Sequence, residues 1–286
     1  MTSLLSTFRL VPVLCLSLSL SLWLGACAVT TPTPTSALTP ATAPSPALVS
    51  EMAPSGKLRA AINFGNPILA VKDTATGGPR GVSVDLSREL ARRLGVSVEL
   101  VTFTAAGLVV DAVKSGAVDV GFVAIDPVRG ADIGQTPPYV IIEGAYLVRE
   151  GSPIRSNSEV DRPGNRIVVG GASAYDLFLI RELKAATLVR APTSPLVTDM
   201  LVAQNMEVAA GVKQQLQADA KRIPGLRLLD GRFMVINQAM GLPKGRDAAL
   251  KYLTAFVEDM KASGFVAQAL ARHGIEGAAV APAAAR

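Results

Sequence analysis

Between residues 58 and 273, short apolar runs alternate with stretches of helical period, and the alternation happens twice, each round followed by an extended segment. In the first round Leu58 to Asn63 reads as a strand. Ser83 stands where it can cap a helix whose Leu86, Leu90 and Leu94 recur at i, i+4 and i+8, and Val96 to Phe103 alternates as a strand does. Thr104 can cap a further helix reaching Ser115, and Val118 to Ala124 has the character of a buried strand. After Tyr139 the chain runs extended through Gly144 to Val148. The second round has a strand from Arg166 to Gly170, a helix from Ser173 to about Lys184 and a strand from Thr187 to Arg190. A helix capped by Ser194-Pro195 and a strand from Glu207 to Ala210 complete it. The segment Phe233 to Leu242 is again extended, and two helices follow, Arg246 to Ala262 and Phe265 to His273.

Each βαβαβ set predicts a parallel sheet covered by helices, so the chain is expected to be an α/β protein of two lobes. The two extended segments become crossings between them. Lobe 1 is expected over 55–147 and 241–276, lobe 2 over 148–240, with the closing helices packed on lobe 1. In open parallel sheets ligands sit beyond the carboxyl ends of the strands, which aims the strand-to-helix turns of both lobes at the cleft.

The mean hydropathy of +0.36 is high for such a fold, and residues 10 to 26 hold most of the excess. Arg9 precedes an apolar run from Leu10 to Leu24, and Leu24-Gly25-Ala26-Cys27 follows, the charged, apolar, small-residue order of a secretory signal. The tetrapeptide ending in Cys27 resembles a bacterial lipobox, which implies a signal peptide over 1–27 and acylation of Cys27. The other reading is an ordinary cleaved signal with a chance cysteine. Residues 28–54, rich in Thr, Pro, Ala and Ser, read as a semi-stiff linker, a tether that fits a lipid anchor on a membrane surface. Residues 277–286, Ala-rich with Pro282, read as a flexible tail.

His273 is the single histidine and both cysteines, Cys15 and Cys27, lie in the leader, which excludes a multi-histidine metal site and a disulfide scaffold. No cofactor is expected. The charge of +5 is spread without interleaved aromatics, so no nucleic-acid partner is expected. No phosphate-loop, dinucleotide or nucleophile-elbow motif occurs. His273 reads as a surface or cap residue, Glu143 as lying at the hinge approach, and Glu207 as opening a strand.

The sharpest local signal is Ile125-Asp126-Pro127-Val128-Arg129, directly after a buried strand. Asp126 can cap a helix, Pro127 suits its first position, and Arg129 falls beside the unpaired backbone donors. Such an arginine can offer a fork to a carboxylate. It can equally face solvent and pair with Asp126 or Asp132.

From Ser55 to about Gly274 the chain resembles bacterial extracellular solute-binding proteins of family 3, receptors for amino acids and related solutes of ABC importers. The likeness rests on Gly56-Lys57-Leu58-Arg59, Gly81-Val82-Ser83-Val84-Asp85-Leu86, Lys114-Ser115-Gly116-Ala117-Val118-Asp119-Val120, Pro138-Tyr139, Leu147-Val148-Arg149-Glu150-Gly151-Ser152-Pro153 and Gly241-Leu242-Pro243-Lys244-Gly245. The resemblance implies a type II periplasmic binding fold with two hinge crossings, closing on its ligand in the cell envelope. It implies that Arg129 grips a ligand carboxylate, with Asp126 in place of the family's threonine. Ser173 and Ala174 then fall on the second-lobe ligand turn. Phe64, Asn66 and Thr104 become candidate wall residues, and Ala124 stands where relatives carry a small hydroxyl. Where the family's second-lobe aspartate pairs with an α-ammonium, this chain has Val212. The expected ligand is therefore a carboxylate without a standard α-amino group, or an amino acid held by other acids. The partners implied are a small solute and an importer permease, with the receptor a monomer and not an enzyme. The rival implied by the same fold is a dehydratase-like enzyme on a small cyclic acid, using a cleft carboxylate. A third reading is a sensor subunit presented to a membrane partner.

Overall fold

The computed structural model describes residues 43–285, so the leader, Cys27 and most of the expected linker lie outside the described residues. The chain opens with α1 (Pro46–Met52) and β1 (Lys57–Asn63), then a hairpin of β2 (Val71–Lys72) and β3 (Pro79–Arg80). Next come α2 (Val82–Leu94), β4 (Ser97–Phe103), α3 (Ala106–Lys114), β5 (Val120–Ala124), α4 (Pro127–Asp132) and β6 (Ile133–Gln135). The long strand β7 (Val140–Arg149) leads to β8 (Arg166–Gly170), α5 (Ala174–Glu182) and β9 (Thr187–Ala191). Then follow α6 (Val197–Ala203), β10 (Val208–Val212), α7 (Lys213–Arg222), β11 (Leu226–Leu228) and a second long strand, β12 (Met234–Pro243). The helices α8 (Asp247–Ala262) and α9 (Phe265–Arg272) and the short strand β13 (Ala279–Val280) close the chain.

The main sheet runs β4-β1-β5-β12-β7-β10-β8-β9. Its outer thirds are the parallel sets the alternation predicts: β1 pairs β4 and β5, and β8 pairs β9 and β10. The two long strands supply the middle. Antiparallel to each other from Met234↔Gly144 to Gln238↔Val140, they join β5 on one side and β10 on the other. The predicted extended segments are thus neighbours in one ladder, and the halves share backbone hydrogen bonds rather than a flexible linker. Strand β5 is buried at every position, because helices cover it and two strands flank it. A buried ion pair ties the first half: Asp119, with no exposed side-chain surface, accepts from the backbone N and the guanidinium of Arg59.

Helix entries differ from the expectations in two places. Ser83 does not cap α2; Gly81 does, at φ +133, where a Cβ would lie 2.4 Å from the Leu69 carbonyl oxygen. That approach admits only glycine. Ala105, not Thr104, is the N-cap of α3, with no side-chain cap hydrogen bond.

Two segments expected to be unstructured are folded. The linker assigned to 28–54 gives way at Pro46 to α1, capped by Ser45 Oγ accepting from Leu48 N. Met52 is buried, Leu48 and Val49 pack on the main core, and the Glu51 carboxylate accepts from Ala249 N at the start of α8. The apolar face Leu48, Val49 and Met52 supplies the burial that Thr/Pro-rich composition hides. The tail assigned to 277–286 contributes β13, which pairs Ala279↔Ile141 and Val280↔Val140, and Lys261 Nζ donates to Pro282 O. Backbone pairing holds this segment, so its small side chains carry no periodic signal. His273 caps the end of α9 and meets Asp85 at 2.9 Å.

Candidate functional site

The turn after β5 forms as its residues require: Asp126 accepts from Val128 N at 2.9 Å and Pro127 starts α4. This fixes Arg129 one turn in. It does not face solvent; it is 3% exposed and lines a hollow between the two halves. Asp132 pairs instead with Lys114. The Arg129 guanidinium donates to Ala124 O at 3.2 Å and, across the gap, to Ala172 O at 2.8 Å. Neither acceptor is a carboxylate. Burial pushes Arg129 down to about 10, partly offset by the nearby Asp126 charge, so it stays cationic at neutral pH.

The opposing wall is the turn between β8 and α5. Ala172 holds φ +54, an uncommon conformation for a residue with a Cβ, and Asp176 Oδ2 accepts from its N–H. Ser173 caps α5 through Asp176 N at 3.0 Å, and Ser173 and Ala174 both line the hollow. The strained residue is therefore locked from both sides, its N–H by Asp176 and its carbonyl by Arg129.

Of the residues singled out from sequence, Arg129, Ser173, Ala174, Ala124 and Asn66 come together around this hollow. Asp126 stands behind it, bridged to Arg181 of α5 at 2.9 Å, a second direct link between the halves. Thr104 does not reach the hollow; it is exposed and lines a larger outer recess of about 480 Å³ with Arg190 and Ala172. Phe64 lies outside the inner hollow and packs on the main core, its N–H bonded to Phe103 O. The inner hollow itself is only about 30 Å³, room for one or two waters.

Sequence reasoning missed Asn63, Tyr175, Ser194, Ile236 and Gln238, which share the lining. A signal existed for Gln238: it is a buried amide that, with Asn237, interrupts the apolar run of β12. Val212, at the head of α7, lines the hollow from the second half. The acids weighed earlier are engaged elsewhere. Glu143 accepts from Lys213 at 2.9 Å and Arg232 at 2.7 Å, which hold its carboxyl below the usual range. Glu207 accepts from the Arg166 guanidinium and backbone N–H just ahead of β10. Among the described residues there is no cluster of three potential metal ligands, and no helix is long and apolar enough to cross a membrane.

Two three-stranded parallel sets joined through paired crossing strands, with a buried arginine between them, define a type II periplasmic binding fold. The model of the bacterial extracellular solute-binding proteins, family 3, matches residues 58–275, and the chain belongs to that family. Similar solved structures include the L-cysteine solute receptor of Neisseria gonorrhoeae. It is 21% identical with a TM-score of 0.70, over 80% of this chain and 94% of that one. A putative binding component of an ABC transporter from Wolinella succinogenes, complexed with lysine, is 22% identical with a TM-score of 0.67, over 76% and 95%. An ancestral amino-acid-binding protein, a precursor of cyclohexadienyl dehydratase, is 21% identical with a TM-score of 0.67, over 78% and 98%. No curated protein sequence matches. Family membership makes this an extracytoplasmic solute-binding protein.

Proposed function

We infer that the chain is the receptor of an ABC importer and that it grips a small carboxylate between its halves, with Arg129 as the anion anchor. The observation carrying this reading is a cationic side chain, 3% exposed, that lacks a carboxylate partner and faces the capped N-terminus of α5 across a gap. A buried charge without a counter-ion is costly, and an anionic ligand would remove that cost. Arg129 uses two of its five N–H groups on backbone carbonyls, leaving a fork for a ligand. Ligand contacts to both walls exist together only when the halves meet, so binding shifts the population toward that arrangement. The permease then reads the joined outline.

The solved neighbours, an L-cysteine solute receptor and a putative ABC-transporter binding component complexed with lysine, support transport. The dehydratase-like rival needs a carboxylate in the cleft; the inner hollow is lined by none, and Asp111 lines only the outer recess between the halves. The reading is therefore binding without covalent chemistry, by a monomer. Cys27 would be acylated after cleavage, tethering the receptor to the membrane surface through the segment ahead of α1.

Arg129→Met tests the anchor. It is expected to abolish the thermal shift given by any carboxylate that stabilises the wild type, with an unchanged circular dichroism spectrum. Full retention of that shift would remove Arg129 from the mechanism.

A further inference from the structure

Helix α5 departs from the usual form of its own cap. Ser173 and Asp176 have the spacing of a capping box, in which the acid at the third helical position turns back to the N–H of the cap residue. Here that N–H is taken by Gly170 O at 3.1 Å, and Asp176 Oδ2 reaches one residue further, to Ala172 N at 2.9 Å. The cap is complete without the carboxylate, because Ser173 Oγ accepts from Asp176 N. Asp176 is 2% exposed. Its Oδ2 also accepts from Arg190 Nε at 3.0 Å, while Oδ1 is buried with no hydrogen-bond partner. Such an oxygen costs stability, and the helix start does not require it. What the carboxylate alone supplies is a hold on Ala172.

Ala172 is where the second half reaches the first. Its carbonyl accepts from Arg129 at 2.8 Å, and its methyl sits against Gly107, where a Cβ would lie 2.8 Å away. Both contacts depend on φ +54, a conformation that a residue with a Cβ leaves readily unless held. We propose that Asp176 is a positioning residue for closure: by fixing Ala172 in the left-handed region it aims the carbonyl at Arg129 and the methyl at Gly107, and so sets how firmly the halves meet. Without that hold Ala172 relaxes to negative φ, which rotates the adjoining peptide unit and takes both groups off the first half. Asp176 lines neither the inner hollow nor the outer recess, so it acts on closure without touching a solute. This role is independent of what the halves enclose and stands or falls apart from the carboxylate reading. It bears on affinity because a solute gripped by both walls draws on the same closing equilibrium.

The test is amide hydrogen exchange of the full chain, read by mass spectrometry with no solute added. The reporter is residues 63–66 of the first half. The N–H groups of Phe64, Gly65 and Asn66 are bonded within that half, and Asn63, Gly65 and Asn66 border the hollow, so parting of the halves raises exchange there. Asp176→Ala is expected to raise it about fivefold, the effect of roughly one net hydrogen bond on an opening equilibrium, and to leave exchange in the buried strand β5 unchanged. Asp176→Asn keeps an oxygen for Ala172 N and is expected to match the wild type. Adding Ala172→Gly to Asp176→Ala is expected to recover most of the protection, since glycine takes positive φ without a hold. A role confined to the stability of α5 could not be rescued at Ala172. Asp176→Leu, which fills the buried site without an acceptor, carries the same expectation if Asp176→Ala does not fold. Four results overturn the proposal: unchanged exchange at 63–66 in Asp176→Ala, a rise that Ala172→Gly does not reduce, an equal rise in β5, or failure of both Asp176→Ala and Asp176→Leu to fold, which would make the carboxylate a purely structural group.

Discussion

Opening the two halves must break the ion pair between Arg181 and Asp126, which makes Arg181→Met a direct probe of closure. Methionine keeps an apolar stem of similar reach and removes only the guanidinium. The Asp126 side chain is 4% exposed and that of Arg181 37%, with Nη2 and Oδ2 2.9 Å apart. A hydrogen bond to a charged group contributes about 1.5 to 3 kcal/mol when dry, and an exposed ion pair about 0.2 to 1 kcal/mol. The half-wet partner argues for about 1 kcal/mol, a factor of roughly five in the closing equilibrium. Asp126 keeps its bond to Val128 N in the variant, so the local cap survives. If closed molecules are the minority without ligand, the apparent Kd weakens by about the same factor of five. The assay is calorimetry of the tightest-binding carboxylate with wild type, R181M, D126N and the double variant, at low and at physiological salt. Asparagine retains the capping function, so the cycle isolates the charge pair. The expected coupling is about 1 kcal/mol, shrinking with salt because Arg181 is partly exposed. Affinity of R181M equal to wild type at low salt, with an unchanged small-angle scattering profile, would show that the pair does not hold the halves together.

Two further perturbations separate closure from stability. A Cβ at Gly107 would lie 2.8 Å from Ala172 Cβ on the opposite half, well inside the 3.5 to 4.0 Å at which carbons pack. Because Gly107 is inside α3, Gly107→Ala is expected to leave the melting temperature of the free protein unchanged or raised. The same change obstructs closure by about 1 to 3 kcal/mol, weakening ligand binding roughly 5- to 150-fold in a titration. The second concerns pH. Hydrogen bonds from Arg92 and then Arg93 hold the Glu89 carboxyl at about 2, below the ordinary value of 4.5, against the opposing effect of burial. A carboxyl lowered on folding adds stability above pH 4.5 and loses it as pH falls toward 2. Arg92 is 71% exposed, so the contribution is about 1 kcal/mol after screening. Glu89→Gln is expected to lower the melting temperature by about 2 to 4 °C at pH 7 and to converge with wild type near pH 2 in calorimetric scans. A constant gap between them at all pH values would refute the assignment.

Much of the fold was legible because its signals are local. Leu86, Leu90 and Leu94 lie on one face of α2, the Arg166–Gly170 strand forms over the expected residues, and Asp126-Pro127 starts α4 where its chemistry says it should. The errors share a cause. Residues 46–53 and 279–281 fold because distant partners bury or pair them, α8 for one and β7 for the other. No window of sequence contains those partners. Thr104 lies in the outer recess between the halves and Phe64 on the main core for the same reason: which side of a strand-to-helix turn faces the gap depends on how the halves meet.

The amino-acid sequence alone determined the α/β alternation, the two crossings and the presence of one arginine poised at a helix start, since periodicity, capping and proline placement act over a few residues. Tertiary structure decided what that arginine can do. It set Arg129 against Ala172 O, tied Asp126 to Arg181 and joined one oxygen of Asp176 to Arg190. Those are relations among groups far apart along the chain, and only packing two sheets around one gap decides which charges remain free for a ligand.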